Sequence, residues 1–284
     1  MSNYLSNYYN SSGVCMQCPI FSIITPMWNG AEFIKETIDS VIKQNFYDWE
    51  MIIVDDCSPD GGLGAGIVKS YAKKDSRIKL IQLAKNKGSS GARNEALKTA
   101  SGRYYAFLDS DDIWHTDYLI TMKKHIDECT DDRVAIFFGG YRRMDSKCKN
   151  SVLTDYSCAG IKNFQTLLRH CPIFPSAAIV DSSRLSEKVF FREELRNLRD
   201  DYVYWLDIMR QGVVAKGYDD FLVDYRIRED SLTASKKKMI KPQWNVYRKV
   251  LHFNFLQSLF YLCSWGVNGV AKYWLSQLKK HDQS

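Results

Sequence analysis

The sequence predicts an α/β fold in which a mostly parallel sheet is flanked by helices and followed by a helical C-terminal extension. Short apolar runs of strand length alternate with helices that carry apolar side chains on one face. That alternation is typical of parallel strands joined by helical crossovers. Acidic loops follow several of the strands, and the residues after 235 are basic and rich in large apolar side chains.

Four strands and three helices are predicted in the first half of the chain. The strands are placed at 21–25, 51–54, 78–83 and 104–108, and the helices at 31–44, 67–74 and 92–99. Pro26 is expected to end the first strand. The glycine-rich run 61–66 has the spacing of neither a dinucleotide nor a P-loop phosphate motif, so it is interpreted as a flexible loop.

Polar residues follow these strands and should meet in one place. Functional loops of such sheets gather at the carboxyl ends of the strands, so one crevice is expected there. The residues expected to line it are Trp28, Asp55, Asp56, Arg93, Asp109 and Asp111.

The run Asp109-Ser110-Asp111-Asp112 closes the apolar strand 104–108 and is the most informative junction of the sequence. Three carboxylates at a strand end suit a hard divalent cation, which prefers oxygen ligands. The alternative is that Asp112 caps a helix beginning near Ile113, because Asp is common at such positions. Both interpretations remain open from this segment alone.

The length of 284 residues fits one catalytic-size domain with an appendage. Residues 1–18 form a polar N-terminal segment without the features of a signal peptide. Together with eight cysteines, this indicates a reducing, intracellular compartment and no disulfide framework. Cys15 and Cys18 have the spacing of a zinc ligand pair, but no second pair follows, so they are expected to be unliganded.

The net charge of +6 is concentrated in the tail: nine Lys or Arg and one Asp lie from Lys236 onward, giving +8 and leaving −2 for the rest. Residues 244–278 combine aromatic and aliphatic side chains with polar interruptions, which favours an amphipathic helix lying on a membrane surface over one that spans it. The alternative is that the tail packs on the catalytic domain or forms a homodimer contact. Nucleic acid is not the expected partner, because the basic residues accompany a large apolar surface.

Five motifs carry a resemblance to a known family. They are Thr25-Pro26-Met27-Trp28-Asn29, Ile53-Val54-Asp55-Asp56-Cys57-Ser58, Asn86-Lys87-Gly88 with Ala92-Arg93-Asn94, Phe107-Leu108-Asp109-Ser110-Asp111-Asp112, and Arg199-Asp200-Asp201-Tyr202-Val203-Tyr204-Trp205. In this order and spacing the chain resembles a family-two glycosyltransferase of the GT-A fold. The resemblance covers 19–235 and implies a nucleotide-sugar-binding half at 19–112, an acceptor half at 113–235 and a helical tail at 236–284.

The resemblance implies a UDP-sugar donor and a divalent cation on its diphosphate. Asp55 and Asp56 stand where the family reads the base and ribose, and Asp111 with Asp109 where it holds Mn²⁺ or Mg²⁺. The remaining donor-side residues implied by the resemblance are Pro26, Trp28, Arg93, Ser110 and Arg228.

The last motif implies the catalytic base. Asp201 falls where the family keeps the carboxylate that takes a proton from the acceptor hydroxyl, and one such base implies inversion at the anomeric centre. Asp200, where the family more often has Glu, and Trp205 are expected on the acceptor side. Asp at a helix N-terminus is also favoured by the helix dipole, and that role is compatible with catalysis.

These implications lead to an expected function in bacterial surface-polysaccharide synthesis, such as O-antigen or capsule. The acceptor is expected to be a glycan on a polyprenyl diphosphate at the cytoplasmic face of the membrane, where the tail holds the protein peripherally. Two alternatives stay open: a non-catalytic nucleotide-sugar-binding or scaffold protein, and a sugar nucleotidyltransferase, which would release pyrophosphate instead of UDP.

Overall fold

The computed structural model describes the backbone of residues 8–9, 15–16, 18–195, 199–227 and 239–281, with side chains of the last range up to residue 268. The strands are β1 Tyr8–Tyr9, β2 Cys15–Met16, β3 Phe21–Met27, β4 Trp49–Asp55, β5 Ile78–Gln82, β6 Tyr104–Phe107, β7 Ile113–Trp114, β8 Val134–Met144, β9 Ser151–Tyr156, β10 Gly160–Lys162, β11 Ala178–Asp181 and β12 Val214–Arg226. The α-helices are α1 Ile34–Ile42, α2 Leu63–Ala72, α3 Gly88–Thr99, α4 Tyr118–Asp127, α5 Phe164–Arg169, α6 Asp200–Met209, α7 Ile240–Asn245 and α8 Phe255–His281.

One large sheet organises the molecule, with strand order β10-β12-β8-β11-β6-β3-β4-β5. The four strands from β6 to β5 run parallel, and α1, α2 and α3 connect strands within this half. The predicted mostly parallel sheet is therefore confirmed. Beyond it, β11 runs antiparallel to both neighbours, whereas β12 is parallel to β8. Two buried apolar clusters pack on the two faces of this sheet.

Pro26 lies within β3, so the prediction that it ends the strand is wrong. On one side Pro26 pairs in register with Val54 of β4, but the pairing with β6 on the other side stops at Ile24. Proline is tolerated at a strand position where no neighbour needs its missing N–H. The extension carries the end of β3 to Met27, beside the crevice.

Helices α2 and α3 both begin four residues earlier than predicted. At α2, Gly61 and Gly62 take positive φ values of 66° and 83°, and the Asp60 carboxylate accepts hydrogen bonds from the N–H groups of Gly62 and Gly64. The second half of the predicted flexible loop is therefore the first turn of a helix. At α3, the carboxylate that binds the first N–H groups belongs to Asp56, far away in sequence.

Residues 113–114 form a short strand, and the next helix begins only at Tyr118. The interpretation of Asp112 as a helix cap is therefore wrong. Strand β7 pairs with β12 through Trp114 and Val223, which draws the acidic loop toward the end of β12.

The tail begins as part of the core. Val246 and Tyr247, in a π-helical turn at Val246–Val250, are buried in the same apolar cluster as α6. Helix α8 contacts α5, while several of its large apolar side chains remain exposed. Among the residues that the structure describes, no helix combines the length and the apolar character needed to cross a bilayer.

Candidate active site

A cleft of about 910 Å³ opens at the carboxyl ends of β3 and β6. The start of α3, the start of α6 and the end of β12 complete its walls. Of the residues predicted for the site, it gathers Pro26, Trp28, Asp56, Arg93, Asp109, Ser110, Asp111, Asp200 and Asp201. The expected single crevice is therefore present, although its residues come from segments as far apart as positions 26 and 201.

Arg93 joins the acidic loop to the start of α6. Its guanidinium, 5% exposed, lies 2.6 Å from Asp109 Oδ1 and 3.5 Å from Asp200 Oδ2. Burial by itself would lower the pKa of Arg93, but the charges of Asp109 and Asp200 raise it above its ordinary value. Arg93 thus remains a cation and fixes the distance between two acidic segments of the cleft.

The neighbouring carboxylates of α6 have different surroundings. Asp200 is buried and accepts hydrogen bonds from the hydroxyl groups of Ser89 and Ser90, each at 2.9 Å. Asp201 is half-buried and accepts no side-chain hydrogen bond from the residues that the structure describes. Burial, and then the negative charge of Asp200, raise the pKa of Asp201 above its ordinary value. A carboxylate with a raised pKa is a stronger base, which suits it to accept a proton.

Asp112 anchors the acidic loop, residues 109–112, to neighbouring segments. Its carboxylate, 1% exposed, accepts hydrogen bonds from the Ser176 hydroxyl at 2.5 Å and from the Arg226 N–H at 3.1 Å. Arg226 also donates from Nε to the Asp111 carbonyl at 2.7 Å. Burial and the charges of Asp111 and Asp109 raise the pKa of Asp112 well above its ordinary value. Asp112 therefore holds the acidic loop against Ser176 and the end of β12.

The donor set of this loop fits a divalent cation shared with a substrate. Asp109 and Asp111 both line the cleft and offer oxygen ligands only. Within the described ranges, no group of three or more His, Cys, Asp or Glu side chains is arranged to hold a metal by itself. Mg²⁺ and similar ions commonly take one or two protein carboxylates and complete their coordination with substrate phosphates and water. The residues present match that mode of binding.

The two residues predicted to bind the nucleotide base and ribose lie in different environments. Asp56 lines the cleft, and its two oxygens accept the N–H groups of Lys87 at 2.7 Å and Gly88 at 2.8 Å. Asp55 lies outside the cleft wall, 4% exposed, and accepts from the Ser58 N–H at 3.2 Å. Asp55 therefore stabilises the loop after β4, and only Asp56 of the pair faces the cleft.

The two tryptophans predicted for the site have opposite environments: Trp28 was expected on the donor side and Trp205 on the acceptor side. Trp28 is 57% exposed at the cleft wall. Trp205 is fully buried, with its ring edge-on to Phe107 at 5.6 Å, so the expectation that it contacts an acceptor is wrong. Trp205 lies on the side of α6 that packs in the apolar cluster with Phe107 and Tyr204. Arg228 lies outside the described residues.

Several cleft residues were not singled out from the sequence. They are Ser89, Tyr141, Phe174, Tyr225 and Arg226; Asn86 and Arg199 also line the cleft and lie within the motifs described above. Arg199 adopts a left-handed backbone conformation with φ of 66°, and its guanidinium lies 4.6 Å from the Tyr202 ring centroid. Arg199 stands next to Asp200 in the last of the five motifs, and Arg226 stands two positions before Arg228. Closeness in sequence to these predicted site residues is the signal that could have identified both arginines.

Comparison with known proteins gives a consistent family. Residues 22–182 match the family described as Glycosyl transferase family 2. A glycosyltransferase assigned to teichuronic acid biosynthesis, TuaG of Bacillus subtilis (strain 168), is 33% identical over 89% of this chain and 97% of its own. The UDP-Glc:alpha-D-GlcNAc-diphosphoundecaprenol beta-1,3-glucosyltransferase WfgD of Escherichia coli is 32% identical over 89% of this chain and 95% of its own.

Solved structures share the fold. The crystal structure of S. aureus TarS 1–349 in complex with UDP-GlcNAc aligns with a TM-score of 0.60 at 23% identity, over 86% of this chain and 71% of that one. A longer TarS chain also aligns, and this chain spans 40% of its length. The mannosyltransferase PcManGT of Pyrobaculum calidifontis, in complex with GDP-Man and Mn²⁺, aligns with a TM-score of 0.62 at 18% identity, over 89% and 74% of the two chains. These likenesses show a GT-A fold.

Proposed function

The chain belongs to glycosyl transferase family 2, and from that premise we propose that it transfers a sugar from a UDP-sugar to a glycan carried on a polyprenyl diphosphate, with inversion at the anomeric carbon. The setting we propose is surface-polysaccharide assembly at the cytoplasmic face of the membrane. One observation carries the proposal: a half-buried carboxylate of raised pKa, Asp201, shares a cleft with the acidic pair Asp109 and Asp111.

The acidic pair supports the donor side of the reaction. Asp109 and Asp111 would hold a divalent cation, Mn²⁺ or Mg²⁺, which would supply Lewis-acid stabilisation to the leaving diphosphate when bound. Asp111 is the first ligand we assign, and Asp109, held by Arg93, is the second or the ribose contact. Asp56 and the exposed face of Trp28 bound the nucleotide region, together with Pro26 and Ser110. PcManGT was solved with Mn²⁺ and TarS with UDP-GlcNAc, which supports this chemistry for the fold.

Asp201 supports the acceptor side. A sugar hydroxyl is a weak nucleophile, and a carboxylate that removes its proton during attack contributes about 10²- to 10⁴-fold. Asp200 holds the start of α6 against α3 through Ser89 and Ser90, so it positions Asp201 without taking the proton itself. Since one base suffices and no second carboxylate has to act as nucleophile, attack opposite the leaving group gives inversion.

The relatives support the class of acceptor. WfgD is by its name a glucosyltransferase that uses UDP-Glc and GlcNAc-diphosphoundecaprenol, and TuaG is by its name a glycosyltransferase of teichuronic acid biosynthesis. The aromatic side chains Tyr141, Phe174 and Tyr225 line the cleft and offer rings on which sugars stack.

The test is UDP release from a panel of UDP-sugars, with Mn²⁺ or Mg²⁺ and with or without a lipid-linked glycan acceptor. We expect release that depends on the acceptor, and its loss by about 10²- to 10⁴-fold in Asp201→Asn while UDP binding is retained. Asp111→Ala should lose both transfer and metal-dependent UDP binding. Asp132→Asn, at an exposed position away from the cleft, is the control for a changed carboxylate.

Two other outcomes identify the alternatives. A protein that binds UDP but releases none with any donor and acceptor is a nucleotide-sugar-binding or scaffold protein. A protein that forms a UDP-sugar and pyrophosphate from UTP and a sugar phosphate is a nucleotidyltransferase. Either result contradicts the proposal.

A further inference from the structure

Helix α8 has two different sides. On one side Tyr261 donates from its hydroxyl to Gln165 Oε1 at 2.9 Å, and Asn268 donates to the Arg169 carbonyl at 3.3 Å, so this side is docked on α5. The other side carries exposed apolar residues, which we call the apolar face of α8: Phe255, Leu256, Leu259, Phe260 and Val267. Leu256 is 74% exposed and Val267 69%, so the face has no cover within the described part of the chain.

The chain segment that carries the apolar face is basic and has no acidic residue. Lys241, Arg248 and Lys249 are exposed just before α8, and the Arg169 guanidinium lies 5.7 Å from the Phe260 ring centroid. No Asp or Glu occurs between residues 231 and 281. Large apolar side chains in a segment whose only charged residues are cations match the composition of a helix that lies in the headgroup region of an anionic bilayer. A face for another protein would more often include acidic partners for these cations.

The apolar face begins close to the cleft. Met239 lines the cleft, and α7 starts at the next residue. The ring centroids of Trp244, near the end of α7, and Phe255, the first residue of the face, are 5.6 Å apart. Five residues of helical rise separate Met239 from Trp244 by about 7.5 Å. A surface held at the apolar face therefore lies near the part of the cleft that Met239 lines.

From these observations we propose that the apolar face of α8 binds an anionic lipid surface and presents the cleft to an acceptor that stays anchored in the same bilayer. The assignment of the acceptor rests on the function proposed above. The binding of the bilayer does not rest on it, because the face and its cations are independent of the chemistry in the cleft.

The test is co-sedimentation of the full chain with vesicles of phosphatidylcholine, with and without phosphatidylglycerol. We expect binding to the phosphatidylglycerol vesicles that weakens with salt. The double variant Leu256→Glu with Phe260→Glu should bind at least about tenfold more weakly, since two buried apolar groups are lost from the interface. The variant Arg248→Gln with Lys249→Gln should lose the preference for phosphatidylglycerol.

The matched control is Tyr47→Glu with Leu63→Glu, which places two carboxylates on residues that are 71% and 68% exposed elsewhere on the surface. It should bind vesicles as the unaltered chain does. Circular dichroism melts verify that all variants are folded. The proposal is contradicted if the α8 variant binds vesicles as well as the unaltered chain does. It is also contradicted if the unaltered chain binds no vesicles but sediments as a dimer, and the same variant abolishes that dimer.

UDP release with a water-soluble glycan acceptor separates the two proposals. A chain that transfers to the soluble acceptor but binds no vesicles contradicts only the lipid surface. A chain that binds vesicles but transfers nothing contradicts only the reaction.

Discussion

At the level of single residues, the pKa of Asp201 depends on two neighbours of opposite charge. Burial raises it first and the charge of Asp200 raises it further, whereas the positive charge of Arg199 lowers it. Arg93 lowers it to a smaller extent. A residue that acts as a base has to be deprotonated, so transfer should decline as the pH falls through the pKa of Asp201. The pH at which transfer declines therefore depends on the charged residues around the start of α6.

Two variants should move this decline in opposite directions. Asp200→Asn removes a negative neighbour, which lowers the pKa of Asp201 and carries the acid limb of the pH–rate profile to lower pH. Arg199→Gln removes a positive neighbour, which raises the pKa and carries the limb to higher pH. The measurement is kcat/KM against pH with saturating metal ion, and Asp132→Asn serves as the unshifted control. If neither variant shifts the acid limb of the pH–rate profile, the base is a group other than Asp201.

At the level of elements, the sequence predicted strands β3 to β6 and helices α1 to α3 but misplaced the helix starts, by four residues at α2 and α3, and it did not predict β7 or α4. Periodicity detects the apolar face of a helix, and α2 and α3 do carry such faces. Their first turns are polar and glycine-rich, and carboxylates stabilise them. Asp60 is local to α2, but Asp56 reaches α3 from 31 residues away. A contact between distant segments leaves no periodic signal, which also explains why Asp112 was interpreted as a cap.

The cap on α3 is testable by itself. Asp56→Ala leaves the buried N–H of Gly88 and the partly buried N–H of Lys87 without an acceptor, and we expect the free energy of unfolding to fall by about 1 to 3 kcal/mol. Asp60→Ala is the matched control: it also removes an acceptor of two N–H groups, but at a half-buried site where water can replace it, so about 0.5 to 1 kcal/mol is expected. Urea denaturation measures both. Equal costs would mean that the burial of Asp56 is irrelevant.

At the level of the whole molecule, the tail was predicted as an appendage beginning at residue 236, with membrane binding and packing on the domain as alternatives. The structure shows that the first part of the tail packs on the domain, whereas membrane binding stays a proposal. Residues 246–247 lie inside the core cluster with Tyr202 and Trp205, whereas the apolar face of α8 remains exposed. Composition could not divide the tail this way, because aromatic residues serve equally well in a core and at a membrane interface.

Tyr247 decides whether the tail and the catalytic domain unfold as one unit. Its ring is fully buried and its hydroxyl donates to the Leu168 carbonyl at 2.6 Å. Tyr247→Ala should lower the free energy of unfolding by about 3 to 5 kcal/mol, as expected for a large aromatic deleted from a core. Tyr247→Phe keeps the ring and loses one hydrogen bond, so about 0.5 to 1.5 kcal/mol is expected.

The measurement is urea unfolding followed by tryptophan fluorescence and by UDP binding in parallel. A single shared transition in both variants indicates one cooperative unit, because Tyr202, next to the proposed base Asp201, packs in the same cluster. Two separate transitions, with UDP binding unaffected by Tyr247→Ala, would instead support the predicted boundary near residue 236 as a true domain boundary.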